Sequence, residues 1–127
     1  MTHRRKTSHS RATSEQAVQR AVCQHLHQRG ASGLVWWHTP NGGRRTPVEA
    51  AIFNGLGVRP GVSDLILLRD GKAFALELKT ERGRPTAAQM QFISEFRAAG
   101  GEASIANGLS EALRTLETWK LLRGRAA

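Results

Sequence analysis

The stretch Pro60-Gly61-Val62-Ser63-Asp64-Leu65-Ile66-Leu67-Leu68-Arg69-Asp70-Gly71-Lys72-Ala73-Phe74-Ala75-Leu76-Glu77-Leu78-Lys79 reads as a β-hairpin. Asp70-Gly71 between two apolar runs is the strongest short-range signal for a tight two-residue turn. With that turn Arg69 pairs with Lys72, and counting back from there puts Asp64 opposite Glu77. Side chains alternate along a strand. Leu65, Leu67, Phe74, Leu76 and Leu78 therefore share one face, suited to a core. Asp64, Ile66, Leu68, Ala73, Ala75, Glu77 and Lys79 share the other, which is apolar near the turn and polar at the far end. A four-residue loop keeps this pairing. An odd-length loop would put Asp64 diagonal to Glu77 or flip one strand's face.

Facing residues of an antiparallel pair have Cβ atoms roughly 5 Å apart. Two carboxylates at that spacing repel unless a cation lies between them. A divalent metal resolves the conflict, and Lys79 points to the same patch. An Asp, a Glu and a Lys converging in this way have the chemistry of metal-assisted phosphodiester cleavage. The competing reading makes Glu77 and Lys79 an ordinary exposed pair on an edge strand. Asp64 at the paired position, behind Pro60-Gly61, weighs against it.

Charge points the same way. Lys and Arg outnumber Asp and Glu 19 to 10, a formal charge of +9. That excess suits a polyanionic partner, with nucleic acid the first candidate. Part of it is a tail: residues 1–13 hold His3, Arg4, Arg5, Lys6, His9 and Arg11 with almost no apolar residue. They are expected to form a disordered basic arm that touches phosphates. The 127 residues suit one domain with one core, here expected over 14–122, with 123–127 a short tail. The single cysteine, Cys23, excludes an internal disulfide and a cysteine-based zinc site, and is expected as a small buried hydrophobe. No apolar run approaches the ~20 residues of a membrane span. The basic start lacks the apolar stretch of a signal peptide, so a cytoplasmic location is expected.

The remaining elements follow from periodicity and caps. A first helix is expected from about Ser14 to Arg29, with Thr13 and Gln16 as a capping box and Gly30 as the stop. Glu15 shares the face of Val18 and Val22. It is either a first-turn carboxylate complementing the helix dipole or a third acid reaching the metal. Gln19, one turn on, either positions water or phosphate or is plain helix surface. Leu34 to Thr39 reads as a strand with Trp36 and Trp37 on opposite faces. His38 at its end is either a general acid/base or phosphate donor, or a structural histidine bonding a loop carbonyl. Asn41-Gly42 is a turn, and Arg44 and Arg45 are candidates for phosphate contact. Thr46 to Glu49 caps a short helix to about Asn54, which gives Glu49 its role. Thr86 with Gln89 caps a helix from about Ala87 to Ala99, sufficient reason for Gln89 to be there. Ala103 to Ala106 is a fourth strand, parallel to the third because a helix separates them. Ser110 is expected to cap a last helix to about Leu122.

Glu15, His38-Thr39-Pro40-Asn41-Gly42, Gly57-Val58-Arg59-Pro60-Gly61-Val62-Ser63-Asp64, Glu77-Leu78-Lys79 and Gln89 together resemble the PD-(D/E)xK nuclease superfamily. Within it the chain is similar to the stand-alone VRR-NUC (virus-type replication-repair nuclease) group of phages and bacteria, roughly from Ser14 to Leu116. One departure is that Val62-Ser63, not Pro, stands directly before Asp64. The resemblance implies an α/β fold: a mixed four-stranded sheet flanked by helices, an αβββαβ core plus a short inserted helix and a C-terminal helix. It implies Glu15, Asp64, Glu77, Lys79 and Gln89 as catalytic residues. Glu15, Asp64, Glu77 and the carbonyl of Leu78 would hold one or two Mg²⁺ ions, with Mn²⁺ able to substitute. His38, Asn41, Arg44, Arg45, Arg59, Arg82 and Arg84 are the expected DNA contacts. The implied activity is a homodimeric, structure-specific DNA endonuclease leaving 5′-phosphate and 3′-hydroxyl ends, with a four-way junction as substrate, no membrane and no small-molecule substrate. Flaps, nicks or linear duplex are the alternative substrates. A non-catalytic basic DNA-binding module is the alternative class. Both tryptophans of the first strand, Trp119 and the Leu121-Leu122 end are material for either an interface or the core.

Overall fold

Asp70 and Gly71 take φ values of 52° and 77°, as the tight turn requires. The flanking strands pair in the expected register, from Arg69 with Lys72 to Leu65 with Leu76. The computed structural model describes residues 3–40 and 46–124, with side chains from residue 15 onward. The elements run α1 (His3–Arg29), β1 (Val35–His38), α2 (Pro47–Gly55), β2 (Leu65–Arg69), β3 (Lys72–Lys79), α3 (Ala87–Ala98), β4 (Glu102–Asn107) and α4 (Leu109–Thr118). The sheet order is β1-β2-β3-β4. The first two pairings are antiparallel and β3–β4 is parallel, so α3 is the crossover that two parallel neighbours require.

Each face of the hairpin has its own core. Leu65, Leu67, Phe74, Leu76 and Leu78 pack with Val22 and Leu26 of α1 and Leu113 and Leu116 of α4. Ala75 and Ile66 face the other way, against Ile93, Phe92 and Phe96 of α3. Cys23 is half-buried against the first core, and Trp36 joins that core while Trp37 stays 44% exposed. Buried Arg29 ties the layer together, donating to Glu117 at 3.0 Å and to the carbonyl of Arg123.

Three expectations are corrected. Helix α1 begins at His3, not near Ser14. No Gly or Pro interrupts His3–Arg29, and a capping box stops a helix only where the chain upstream cannot continue it. The segment expected as a disordered arm therefore carries helical backbone from His3. Ser110 does not cap α4: Gly108 is the N-cap, at φ 92° and with no side-chain cap. The last helix ends at Thr118 rather than Leu122, because Lys120 turns left-handed at φ 63°. Leu121 and Leu122 fold back into the core, where Leu122 bridges to Gly30. They are core, not interface. Among the described residues no helix is long and apolar enough to cross a membrane.

Candidate active site

The β2–β3 ladder ends at Leu65 and Leu76, but β2 does not part from its neighbours there. The Asp64 carbonyl accepts from Thr39 N–H at 2.8 Å. Its carboxylate Oδ2 accepts from the Leu78 N–H at 2.7 Å, so a side chain takes the acceptor place that the ladder leaves empty. Asp64 is thereby locked beside Glu77, as the register requires. Gly61 makes this possible. At φ +81° its backbone lies so close to α3 that a Cβ would sit 2.4 Å from the Ala88 carbonyl carbon. The turn before Asp64 and the start of α3 are thus in direct contact.

Glu77 is 2% exposed. Its Oε2 accepts from Gln89 Nε2 at 3.0 Å and lies 3.5 Å from Lys79 Nζ. Its Oε1 is buried with no hydrogen-bond partner. Burial, then the negative charge of Asp64, pushes the Glu77 carboxyl from 4.5 up to about 8, against the opposing pull of Lys79. Without a cation the two carboxyls are reconciled by the proton that Glu77 keeps and shares with Asp64, and a bound cation could take that proton's place. Gln89 holds Glu77 without losing its cap: its Oε1 accepts from Thr86 N–H at 2.8 Å, and its own N–H reaches Thr86 Oγ1 at 3.2 Å. The cap and the bond to Glu77 use opposite ends of one amide.

A cleft of about 340 Å³ opens beside Asp64, lined by Glu15, Gln16, Gln19, Arg20, His38, Asp64 and Leu78. Glu15 and Gln19 therefore share a cavity with Asp64. Glu15 is exposed there, and among the described residues no three His, Cys, Asp or Glu side chains gather tightly enough to hold a metal ion. Asp64, Glu77 and a backbone carbonyl still suit a hard cation that keeps much of its water, as Mg²⁺ does. His38 Nδ1 lies 2.9 Å from the Asp64 carbonyl. A carbonyl only accepts, so Nδ1 carries a hydrogen. His38 bonds a loop carbonyl, as its structural reading expected, and it also lines the cleft.

The other expected DNA contacts divide. Arg59 is engaged elsewhere, 3.2 Å from Glu95 and stacked over Phe92 at 5.2 Å. Arg82 and Arg84 are exposed on the segment after Lys79. Asn41, Arg44 and Arg45 lie outside the described residues. Gln16 reads from the sequence only as a helix cap, and Arg20 has no expected role there. The signal was available, since positions 15, 16, 19 and 20 follow one side of a helix.

A sequence model of the VRR-NUC domain matches residues 13–109. A solved structure described as a VRR_NUC domain protein superposes with a TM-score of 0.69 at 24% identity, covering 85% of this chain and 89% of that one. No curated protein matches.

Proposed function

The chain belongs to the VRR-NUC domain family, nucleases of the PD-(D/E)xK type, and from that premise we propose that it is a Mg²⁺-dependent, structure-specific DNA endonuclease acting as a homodimer on four-way junctions. The observation that carries the reading is the buried Glu77 carboxyl with its orphaned oxygen beside Asp64. Asp64, Glu77 and the Leu78 carbonyl would hold the cation, with Glu15 across the cleft. When bound, it would acidify a water and neutralise charge on the scissile phosphate. Lys79 is no ligand, because ammonium has no lone pair. Held at Glu77, it faces the charge that builds on the phosphate. Gln89 keeps the Glu77 carboxyl aimed, and Nε2 of His38 offers the cleft a proton donor or acceptor.

The dimer is supported by large apolar side chains that the described residues leave exposed. Helix α2 buries none of its residues, and Val48, Ile52 and Leu56, one turn apart, are 69%, 57% and 74% exposed. Helix α3 covers β3, β4 and Ile66 of β2, leaving Val35 and Trp37 of β1 and Leu68 of β2 exposed on the same face. A helix this short is marginal in water by itself. Two active sites related by a two-fold axis would deliver the paired cuts that a junction needs.

The deciding experiment cleaves a labelled four-way junction beside the matching duplex, in Mg²⁺ or EDTA, with Glu77→Ala as control. Symmetrical, metal-dependent cuts in the junction alone are expected. Cuts in both substrates would discard junction specificity. Tight binding with no cutting in Mg²⁺ or Mn²⁺ would replace the enzyme by a DNA-binding module. In sedimentation, Ile52→Glu should turn a dimer into a monomer, and a monomeric wild type would remove the dimer.

A further inference from the structure

The chain leaves β3 at Lys79 through a four-residue turn, Thr80 to Gly83, closed by Gly83 N–H donating to the Thr80 carbonyl at 3.0 Å. Asn107, at the end of β4 and in register with Lys79, holds this turn from outside. Its Nδ2 donates to the carbonyls of Thr80 and Gly83, both at 2.8 Å. Both amide protons are used, one on each end of the turn. Asn107 is itself fixed. Its N–H donates to Glu111 Oε1 at 3.1 Å, and the next residue, Gly108, donates to the Lys79 carbonyl at 2.8 Å. The turn also folds back on the strand, since a Cβ on Gly83 would lie 3.2 Å from Lys79 Cβ. Arg82 is the third residue of this turn and is exposed.

We propose that Asn107 is a positioning residue that fixes the 80–83 turn and so aims Arg82 at a phosphate next to the one being cleaved. The inference rests on the nuclease reading above. A guanidinium one short turn from Lys79, on a backbone pinned at both ends, is preorganised for a phosphate oxygen pair. No catalytic part is assigned to Asn107 itself. Its two donors cannot be supplied by Asp, whose oxygens would face two carbonyls, or by Ala.

The test uses the full chain. Binding of a labelled junction and duplex is measured in EDTA across a salt series, for wild type, Asn107→Asp, Asn107→Ala and Arg82→Ala. Each variant should lower the slope of log affinity against log salt by about 0.9, the share of one phosphate contact. Asn107→Asp added to Arg82→Ala should lower it no further. Amide hydrogen exchange gives a readout free of DNA: Gly83 N–H should exchange at least tenfold faster in Asn107→Asp while β3 amides keep their protection. An unchanged slope, additive effects, or loss of β3 protection would each overturn the proposal. A wild type that binds no DNA would remove the nuclease reading with it. Wild-type binding with a slope unmoved by Asn107→Asp removes the positioning role alone.

Discussion

Glu77→Gln should make the metal-free protein more stable and erase most of its stability loss toward alkaline pH. The Glu77 carboxyl stands at about 8 in the folded protein against 4.5 ordinarily. Below pH 4.5 both the folded and unfolded chains carry the proton, so the group does not shift the balance. As pH rises through the window from 4.5 to about 8, the unfolded chain gives up its proton while the folded protein keeps it, and stability falls. Above that window the loss is constant. At pH 7 it amounts to about 3 kcal/mol, from 1.36 kcal/mol per pKa unit. Glutamine is isosteric with the protonated acid. Its carbonyl can accept from Gln89 as Oε2 does now, and its NH₂ can face Asp64. Urea unfolding in EDTA at pH 5, 7 and 8 measures the effect. Wild type should weaken by about 3 kcal/mol from pH 5 to pH 8, and Glu77→Gln should hold nearly level across the same range. Adding Mg²⁺ at pH 8 should restore wild type and leave the variant unmoved, because a ligand stabilises only the state that binds it. A variant no more stable than wild type at pH 8, or one with the same pH slope, would refute the account of Glu77 as a buried carboxyl waiting for a cation.

Gly61→Ala meets backbone at 2.4 Å and a φ of +81°, so it should cost about 2–3 kcal/mol; an unchanged melting temperature would count against the contact between this turn and α3. Gln89→Glu keeps the cap on α3 but turns a donor to Glu77 into a third carboxyl beside Glu77 and Asp64, so the pH profile of cleavage should move to higher pH. An unmoved profile would deny Gln89 its hold on Glu77. Lys79→Ala should leave metal binding by calorimetry largely intact and slow cleavage by about 10²–10³-fold; lost metal binding would assign Lys79 a different role.

What the sequence made legible is what short-range signals carry. Asp70-Gly71 set the register of the hairpin, and the register set which residues share each core. The capping boxes at Thr46 and Thr86 located α2 and α3 almost to the residue. Where a local signal had a competitor it failed. Thr13 and Gln16 form a plausible cap, yet α1 runs straight through them. Ser110 is the better N-cap residue type, yet Gly108, held by its bond to the Lys79 carbonyl, opens α4 instead.

The site was legible as a set of residue types and not as a set of contacts, since its contacts come from other elements. Periodicity gave Glu15 its face but not its reach into the cleft. Nothing near Arg59 in the chain announced that Glu95 and Phe92 would engage it. Gln89 shows why such cases resist reading. Its capping role is sufficient to explain it, yet a cap and a contact to another strand are not rivals. An amide has an acceptor end and a donor end, and the cap uses the acceptor. The donor is then free for Glu77, 12 residues away in sequence and one hydrogen bond away in the fold. A glutamate would complete the same capping box and would bring a third carboxyl beside Glu77 and Asp64. The choice of Gln over Glu at this cap is therefore itself information about the site, readable only once the strand that carries Glu77 is known to lie beside it.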